Sequence, residues 1–291
     1  MRIVARTRSL LEQFLNAVLN PLGYQIRPLI DESDHAFLSP KFVERQNSMI
    51  ADVFGHAIQG TQLAKAGEPA HILELIRQFR ALFMSVPFGI TPGGSGFNSC
   101  LNLYLVAKLL QPSVILESGS FKGMSSWVLR NAAPQADLHC FDLTFSRLKY
   151  RHHSIHYHER DMTAEPFRFA ASDKVLAFFD DHVNQAQRIT DSRNKNVNFI
   201  VFDDSHPAET LYVDKMPATP TVPMVMDDGI NNNEIIEWKA YRRTYRYQHD
   251  VYEIEGARRE IAVCRRLPLL VEQTGYRPSY MHYVELGTKS S

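Results

Sequence analysis

The amino-acid sequence predicts an α/β fold: a doubly wound, mainly parallel sheet with an α-helical N-terminal extension. Three observations carry the prediction. From about residue 113, short apolar runs that end in an acidic residue alternate with helical segments. Strands buried on both faces have this pattern, and their alternation with helices implies parallel crossovers. Before residue 96 the apolar residues recur at helical spacing instead, and 291 residues suffice for one large domain with an extension. The expected division is a helical extension over 1–95 and a sheet domain over 96–291.

The elements follow in order. Ile3, Val4, Leu10, Leu11, Phe14, Leu15, Val18 and Leu19 lie at helical spacing, with Arg2, Arg6 and Arg8 among them. A basic amphipathic helix can lie on an anionic membrane surface, and the same face can pack on its own protein or a second copy. A peripheral membrane contact through residues 1–20 and a homo-oligomer are therefore both expected. Neither an uninterrupted apolar core nor a small-residue cleavage site marks a signal peptide. Asn20-Pro21-Leu22-Gly23 ends this helix. Helical periodicity resumes from about Pro40 to Ser85, and a Gly/Pro-rich loop over Pro87–Gly96 follows, read as a lid or a connector. Cys100–Leu110 is a short apolar helix. Strands are then expected at Ser113–Glu117, Leu138–Asp142, Ile155–Asp161, Val175–Asp180 and Asn198–Asp203, with helices at Ser125–Ala132 and before Arg188. Asn231-Asn232-Asn233 caps an expected helix over Glu234–Tyr247, and Met281–Leu286 suits a C-terminal edge strand.

Composition excludes several classes. Thirty-two basic residues balance thirty-two acidic ones, so no general attraction to nucleic acid exists, and no long basic tract supplies one locally. Three widely spaced cysteines suggest neither a disulfide framework nor a cysteine zinc site. The expected compartment is the cytoplasm, with the peripheral membrane contact on its inner surface. No run reaches the roughly 18–20 apolar residues a membrane span needs.

In an open parallel sheet the ligand sits beyond the carboxyl ends of the strands. Here those ends carry Glu117, Asp142, Asp161, Asp180 and Asp203. The first turn reads Glu117-Ser118-Gly119-Ser120-Phe121-Lys122-Gly123. Gly119 allows a sharp turn, Gly123 lets the next helix approach a ligand, and Ser120 with the backbone amides can donate hydrogen bonds. The spacing departs from the Gly-x-Gly-x-x-Gly of dinucleotide binders. It is similar to the first motif of class I methyltransferases, whose Glu/Asp-x-Gly-x-x-x-Gly loop holds the methionine end of S-adenosylmethionine. The resemblance implies a Rossmann-like fold and that cofactor. Asp142 stands where an acid accepts hydrogen bonds from ribose hydroxyls, and Asp161 where the family contacts adenine.

Phe179-Asp180-Asp181-His182 and Phe202-Asp203-Asp204-Ser205-His206 resemble the strand ends of metal-assisted O-methyltransferases of macrolide, aminocoumarin and cephalosporin biosynthesis. The resemblance spans about residues 98–206. It implies Asp180, Asp203 and Asp204 as ligands of Mg²⁺ or a similar cation, and His182 as the general base for an acceptor hydroxyl. Carboxylates held within a few ångströms repel unless one is protonated or a cation joins them. A hard cation with open positions can bind a diol and lower a hydroxyl pKa, and an imidazole titrates near neutrality. The bland reading makes Asp181 and Asp204 helix caps. Asp203–His206 could also close the fourth strand, with Met224–Gly229 as the fifth. The span from Asp161 to Asp180 favours the first register.

His156 and His158 share one face of a strand, a metal-pair geometry that nothing nearby in sequence completes. The expected function is thus S-adenosylmethionine-dependent O-methylation of a glycan or natural-product acceptor. A non-catalytic scaffold with the same core and a nucleotide-sugar-dependent transferase are the competing readings.

Overall fold

The computed structural model describes residues 39–88, 94–170, 172–213, 218–227, 234–240, 243–248 and 251–287, together with Leu15 and Ala17. The chain divides into two compact units, 1–32 and 33–291. Leu15 and Ala17, in the first, are helical; the rest of the predicted membrane-facing helix lies outside the described residues. Among the described residues no helix is long and apolar enough to cross a membrane.

The second unit begins with α1 (Pro40–Ala57), α2 (Pro69–Phe83) and α3 (Phe97–Leu110). The first two open on proline at the first helical position, where its missing N–H is harmless and its φ is already helical. Then β1 (Val114–Ser118), α4 (Met124–Ala132), β2 (Asp137–Asp142), β3 (Ile155–Glu159), β4 (Val175–Phe179), α5 (Gln185–Asn194) and β5 (Phe199–Phe202) alternate. The chain closes with α6 (Val222–Met226), β6 (Ile235–Ala240), β7 (Arg243–Gln248), α7 (Val251–Glu260), β8 (Ile261–Arg266), α8 (Val271–Thr274) and β9 (His282–Leu286).

Among the described residues seven strands form one sheet in the order β3-β2-β1-β4-β5-β9-β8. The first five run parallel, and β9 pairs antiparallel with both β5 and β8. The order reverses between β1 and β4, the switch point at which doubly wound sheets open a crevice. Side chains alternate strictly between two cores. Ile115, Leu138, Cys140, Leu176, Phe178 and Val201 join α1 to α4 on one face. Leu116, Phe141, Ala177, Phe179, Ile200 and Phe202 join α5, α6 and α7 on the other. The predicted Rossmann-like architecture is therefore the observed one. α3 is buried nearly all round, which its unbroken apolar sequence requires.

Two expectations are corrected, and the preferred register of the fifth strand holds. The segment predicted as a helix over 234–247 is the two-stranded ribbon β6–β7. Exposure alternates with period two, Ile236, Trp238 and Ala240 being less exposed than Ile235, Glu237 and Lys239. Trp238 stacks on its cross-strand partner Tyr245 at 5.5 Å. The asparagine cap lies outside the described residues. The run at 281–286 is an interior strand, because β8, which sequence periodicity did not reveal, takes the edge. Met224 lies in a short helix rather than a fifth strand, so Asp203–Asp204 follows β5.

Candidate active site

The loop after β1 makes three left-handed turns, at Gly119 (φ +91°), Phe121 (φ +44°) and Gly123 (φ +87°). A Cβ at Gly119 would stand 2.3 Å from the carbonyl oxygen of Asp180, so only glycine lets the β1 and β4 loops meet here. Ser120 and Phe121 donate their amides to one oxygen of Asp142, at 3.1 and 3.0 Å. The other oxygen accepts the Thr144 amide at 3.2 Å. Asp142 therefore holds the turn that faces it.

Glu117 takes a different place from the one predicted. It is fully buried behind the loop, where it accepts hydrogen bonds from Ser126 and Ser120 hydroxyls and the Cys140 thiol. Burial pushes its carboxyl above the usual range, against the pull of those donors. Neither Glu117, Ser120 nor Gly123 lines the main cavity. They shape its wall.

That cavity, of about 510 Å³, opens at the carboxyl ends of β1, β2 and β4. Phe121, Phe141 and the 79% exposed Leu143 give it apolar surface; Asp142, Asp161, Asp180 and His182 give it polar groups. Asp161 is tied to Arg188 through both oxygens, at 2.5 and 3.1 Å. This guanidinium holds the Asp161 carboxyl well below the usual carboxylate range. Arg188 is itself 2% exposed; burial opposes its charge, but bonds to Asp161 and Asp181 more than compensate. Arg188 and Asp181 were not expected at the site. Asp181 accepts from the Ser118 hydroxyl at 2.6 Å, Arg188 at 2.9 Å and the Val183 amide at 3.1 Å. It is the supporting member of its pair.

Asp180 forms the wall between the main cavity and a second one of about 180 Å³, lined also by Ser99, Asp203, Asp204, Arg277 and Tyr280. Burial, and then the charges of Asp203 and Asp204, push the Asp180 carboxyl far above its ordinary value. His182 and Asp204 both carry left-handed backbone, at φ +54° and +48°. Such strain in non-glycine residues persists where surrounding structure imposes it, often at functional sites. His182 Nδ1 lies 3.7 Å from Asp204 Oδ2. Single ligand atoms of Asp180, His182 and Asp204 all lie within 4.8 Å of one another. Asp203, expected as the third member, is not in that set; it is 8% exposed, accepts the Asp204 amide at 3.0 Å and faces the second cavity. Arg277 and Tyr280 had no local signal in sequence: Ser205 binds the Tyr280 carbonyl, and Asn98 binds that of Arg277 across the fold.

No protein-family model matches the chain, and no curated protein does. Among solved structures the chain is similar to CmcI with Mg and SAM, at 13% identity and a TM-score of 0.40, covering 64% of this chain and 70% of that one. It is similar to the O-methyltransferase TomG from Streptomyces achromogenes in complex with SAM, at 17% identity and a TM-score of 0.37, covering 84% and 98%. Human N-acetylserotonin methyltransferase in complex with SAM shares 10% identity at a TM-score of 0.39, over 74% and 55%.

Proposed function

We propose that the chain is an S-adenosylmethionine-dependent O-methyltransferase, assisted by Mg²⁺ or a similar cation and acting on a hydroxyl of a glycan or natural-product acceptor. The observation that carries the reading is the pair of cavities that meet at Asp180, one walled by the glycine turn and Asp142, the other by Asp203 and Asp204.

The residues fit both groups. A cavity of about 510 Å³ falls in the range that takes a cofactor-sized ligand. Phe141 and Leu143 offer apolar faces for a purine, Asp142 offers acceptor oxygens to sugar hydroxyls, and Asp161 a further acceptor. The glycine turn suits a polar amino-acid end. Bound there, S-adenosylmethionine supplies an electrophilic methyl group. Burial, and after it the charges of Asp203 and Asp204, raise the Asp180 carboxyl, and a divalent cation would offset that charge repulsion. Such a cation supplies Lewis acidity toward an acceptor hydroxyl.

The chain's own residues do the rest. Asp180, Asp203 and Asp204 would hold the cation, and His182, whose Nδ1 lies 3.7 Å from Asp204 Oδ2, would take the hydroxyl proton. The 4.8 Å set favours a second assignment, in which His182 is the third ligand and Asp203 only orients Asp204. In-line transfer needs little beyond positioning and this deprotonation. On this reading residues 1–95 extend the transfer domain of 96–291, although α1 and α2 share one core with the sheet.

Calorimetry with S-adenosylhomocysteine tests the proposal. Micromolar binding without Mg²⁺, and none of NAD or a nucleotide-sugar, is expected; no binding of any of the three would favour a scaffold. Asp203→Asn should abolish methyl transfer under the first assignment. Under the second it leaves transfer largely intact while His182→Gln abolishes cation dependence.

A further inference from the structure

A second cluster of ligand-type side chains lies at the β2–β3 edge of the sheet. Asp137 and His139 of β2 and His156 and His158 of β3 project from one face, His139 opposite His156 in register. It is the face that α5, α6 and α7 cover further along, but at this edge Phe167 packs edge-on against His139 at 4.9 Å. Asp137 and His156 remain more than half exposed, at 54% and 58%.

The contacts run in a line. Asp137 Oδ2 stands 3.1 Å from His139 Nε2, and His139 Nδ1 stands 3.1 Å from His158 Nε2. His158 Nδ1 stands 3.3 Å from Glu165 Oε1. Each of these three contacts needs one proton between its atoms. Two neutral imidazoles carry only one N–H each. One contact therefore brings two lone pairs face to face unless a third proton or a cation enters. If His158 donates to Glu165 and His139 donates to His158, the bare nitrogen is Nε2 of His139, turned to Asp137. At the same carboxylate, His156 Nε2 lies 3.0 Å from the other oxygen.

We propose that Asp137, His139 and His156 form a binding site for a divalent transition-metal ion of the zinc class, separate from the acidic cluster at Asp180. Single ligand atoms of the three lie within 4.8 Å of one another. Two imidazoles and a carboxylate with a water are a common zinc set, and ligand atoms around a tetrahedral zinc are about 3.3 Å apart. The two oxygens of Asp137 stand 3.1 and 3.0 Å from Nε2 of His139 and Nε2 of His156, so one carboxylate faces both imidazoles. His158 and Glu165 complete the arrangement as the outer hydrogen-bonded pair that fixes the tautomer of a metal-bound histidine. The exposed side leaves room for the water ligand. A cation here clips the edge strand β3 to β2.

Chelator-buffered zinc titration of the full chain tests the site, with Asp204→Asn as background to weaken the acidic cluster. Asp204→Asn alone should retain a zinc site, and adding His156→Ala should weaken it about 100-fold or more. His158→Gln, which touches no metal, should weaken it about 10–100-fold by releasing the tautomer. Long-range ¹H–¹⁵N spectra should show zinc shifting ring nitrogens of His139 and His156. His156 is exposed, so melting without zinc should be unchanged and confirms folding of the variant. Equal zinc affinity with and without His156→Ala would overturn the proposal. So would spectra in which the third proton already makes an imidazolium of His139 or His158 and zinc moves nothing.

Discussion

Gly119→Ala probes whether the loop after β1 is held by contact with the β4 loop. Three glycines with positive φ separate the contributions. At Gly275 (φ +75°) an added Cβ would meet nothing within 4 Å, so only backbone strain applies. That strain is about 1–2 kcal/mol, offset by about 0.4–1 kcal/mol from a stiffer unfolded chain. At Gly123 (φ +87°) the flexible end of Leu148 at 3.0 Å can yield, while the Cβ and carbonyl oxygen of Tyr150, both at 3.1 Å, need give by only a few tenths of an ångström. At Gly119 the obstruction is backbone, the Asp180 carbonyl at 2.3 Å, and it cannot yield without moving the β4 loop. Overpacking of that kind adds about 1–3 kcal/mol. The expected order of destabilisation is Gly119→Ala, then Gly123→Ala, then Gly275→Ala. At about 2–4 °C per kcal/mol, Gly119→Ala should melt roughly 2–12 °C below Gly275→Ala. The displaced loop should also weaken S-adenosylhomocysteine binding by about 5–150-fold, the same energy expressed as affinity. Thermal unfolding by circular dichroism and calorimetry read the two effects. If Gly119→Ala and Gly275→Ala melt together and bind alike, the β1 and β4 loops do not constrain each other and the reasoning fails.

Two further predictions concern buried charge. Because burial raises the Glu117 carboxyl in the folded chain, its contribution to stability is full below the ordinary carboxylate value of 4.5 and is lost as pH rises through the folded value. Glu117→Gln removes that loss, so in denaturant titrations the variant should gain on the wild type as pH rises from about 4.5; a pH-independent difference would contradict it. Arg188→Met strands Asp161 and Asp181 without their buried cation and should destabilise by about 3–5 kcal/mol at neutral pH. Arg188 holds the Asp161 pKa down, so this deficit should shrink as pH falls below the carboxylate range. A deficit under about 1 kcal/mol, or one that does not change with pH, would refute the pairing.

Local chemistry was enough to read the parallel strands β1 to β5, the glycine turn and the acids that follow each strand. Unbroken apolar runs, positive-φ glycines and helix-breaking loops all act within a few residues, so sequence alone determined them. It did not reveal β8, and it misread the β6–β7 ribbon as a helix. In that ribbon the cross-strand pair Trp238–Tyr245 outweighs local preference, and no single segment contains that pair. The same limit decided the site. Glu117 and Asp142 both end or nearly end strands in sequence and share one side of the sheet, but Glu117 is registered opposite Cys140 and covered by α4, whereas Asp142 lies two residues beyond Cys140, at the strand end that opens on the cavity. Asp180 and Asp181 are adjacent, and which one faces the cluster depended on Arg188 claiming Asp181 from one turn of α5. His139 and His156 became neighbours only through the β2–β3 register. Residue type and spacing set what chemistry the chain can carry; the direction each side chain faces is settled by pairing and packing between distant segments, which only the tertiary structure supplies.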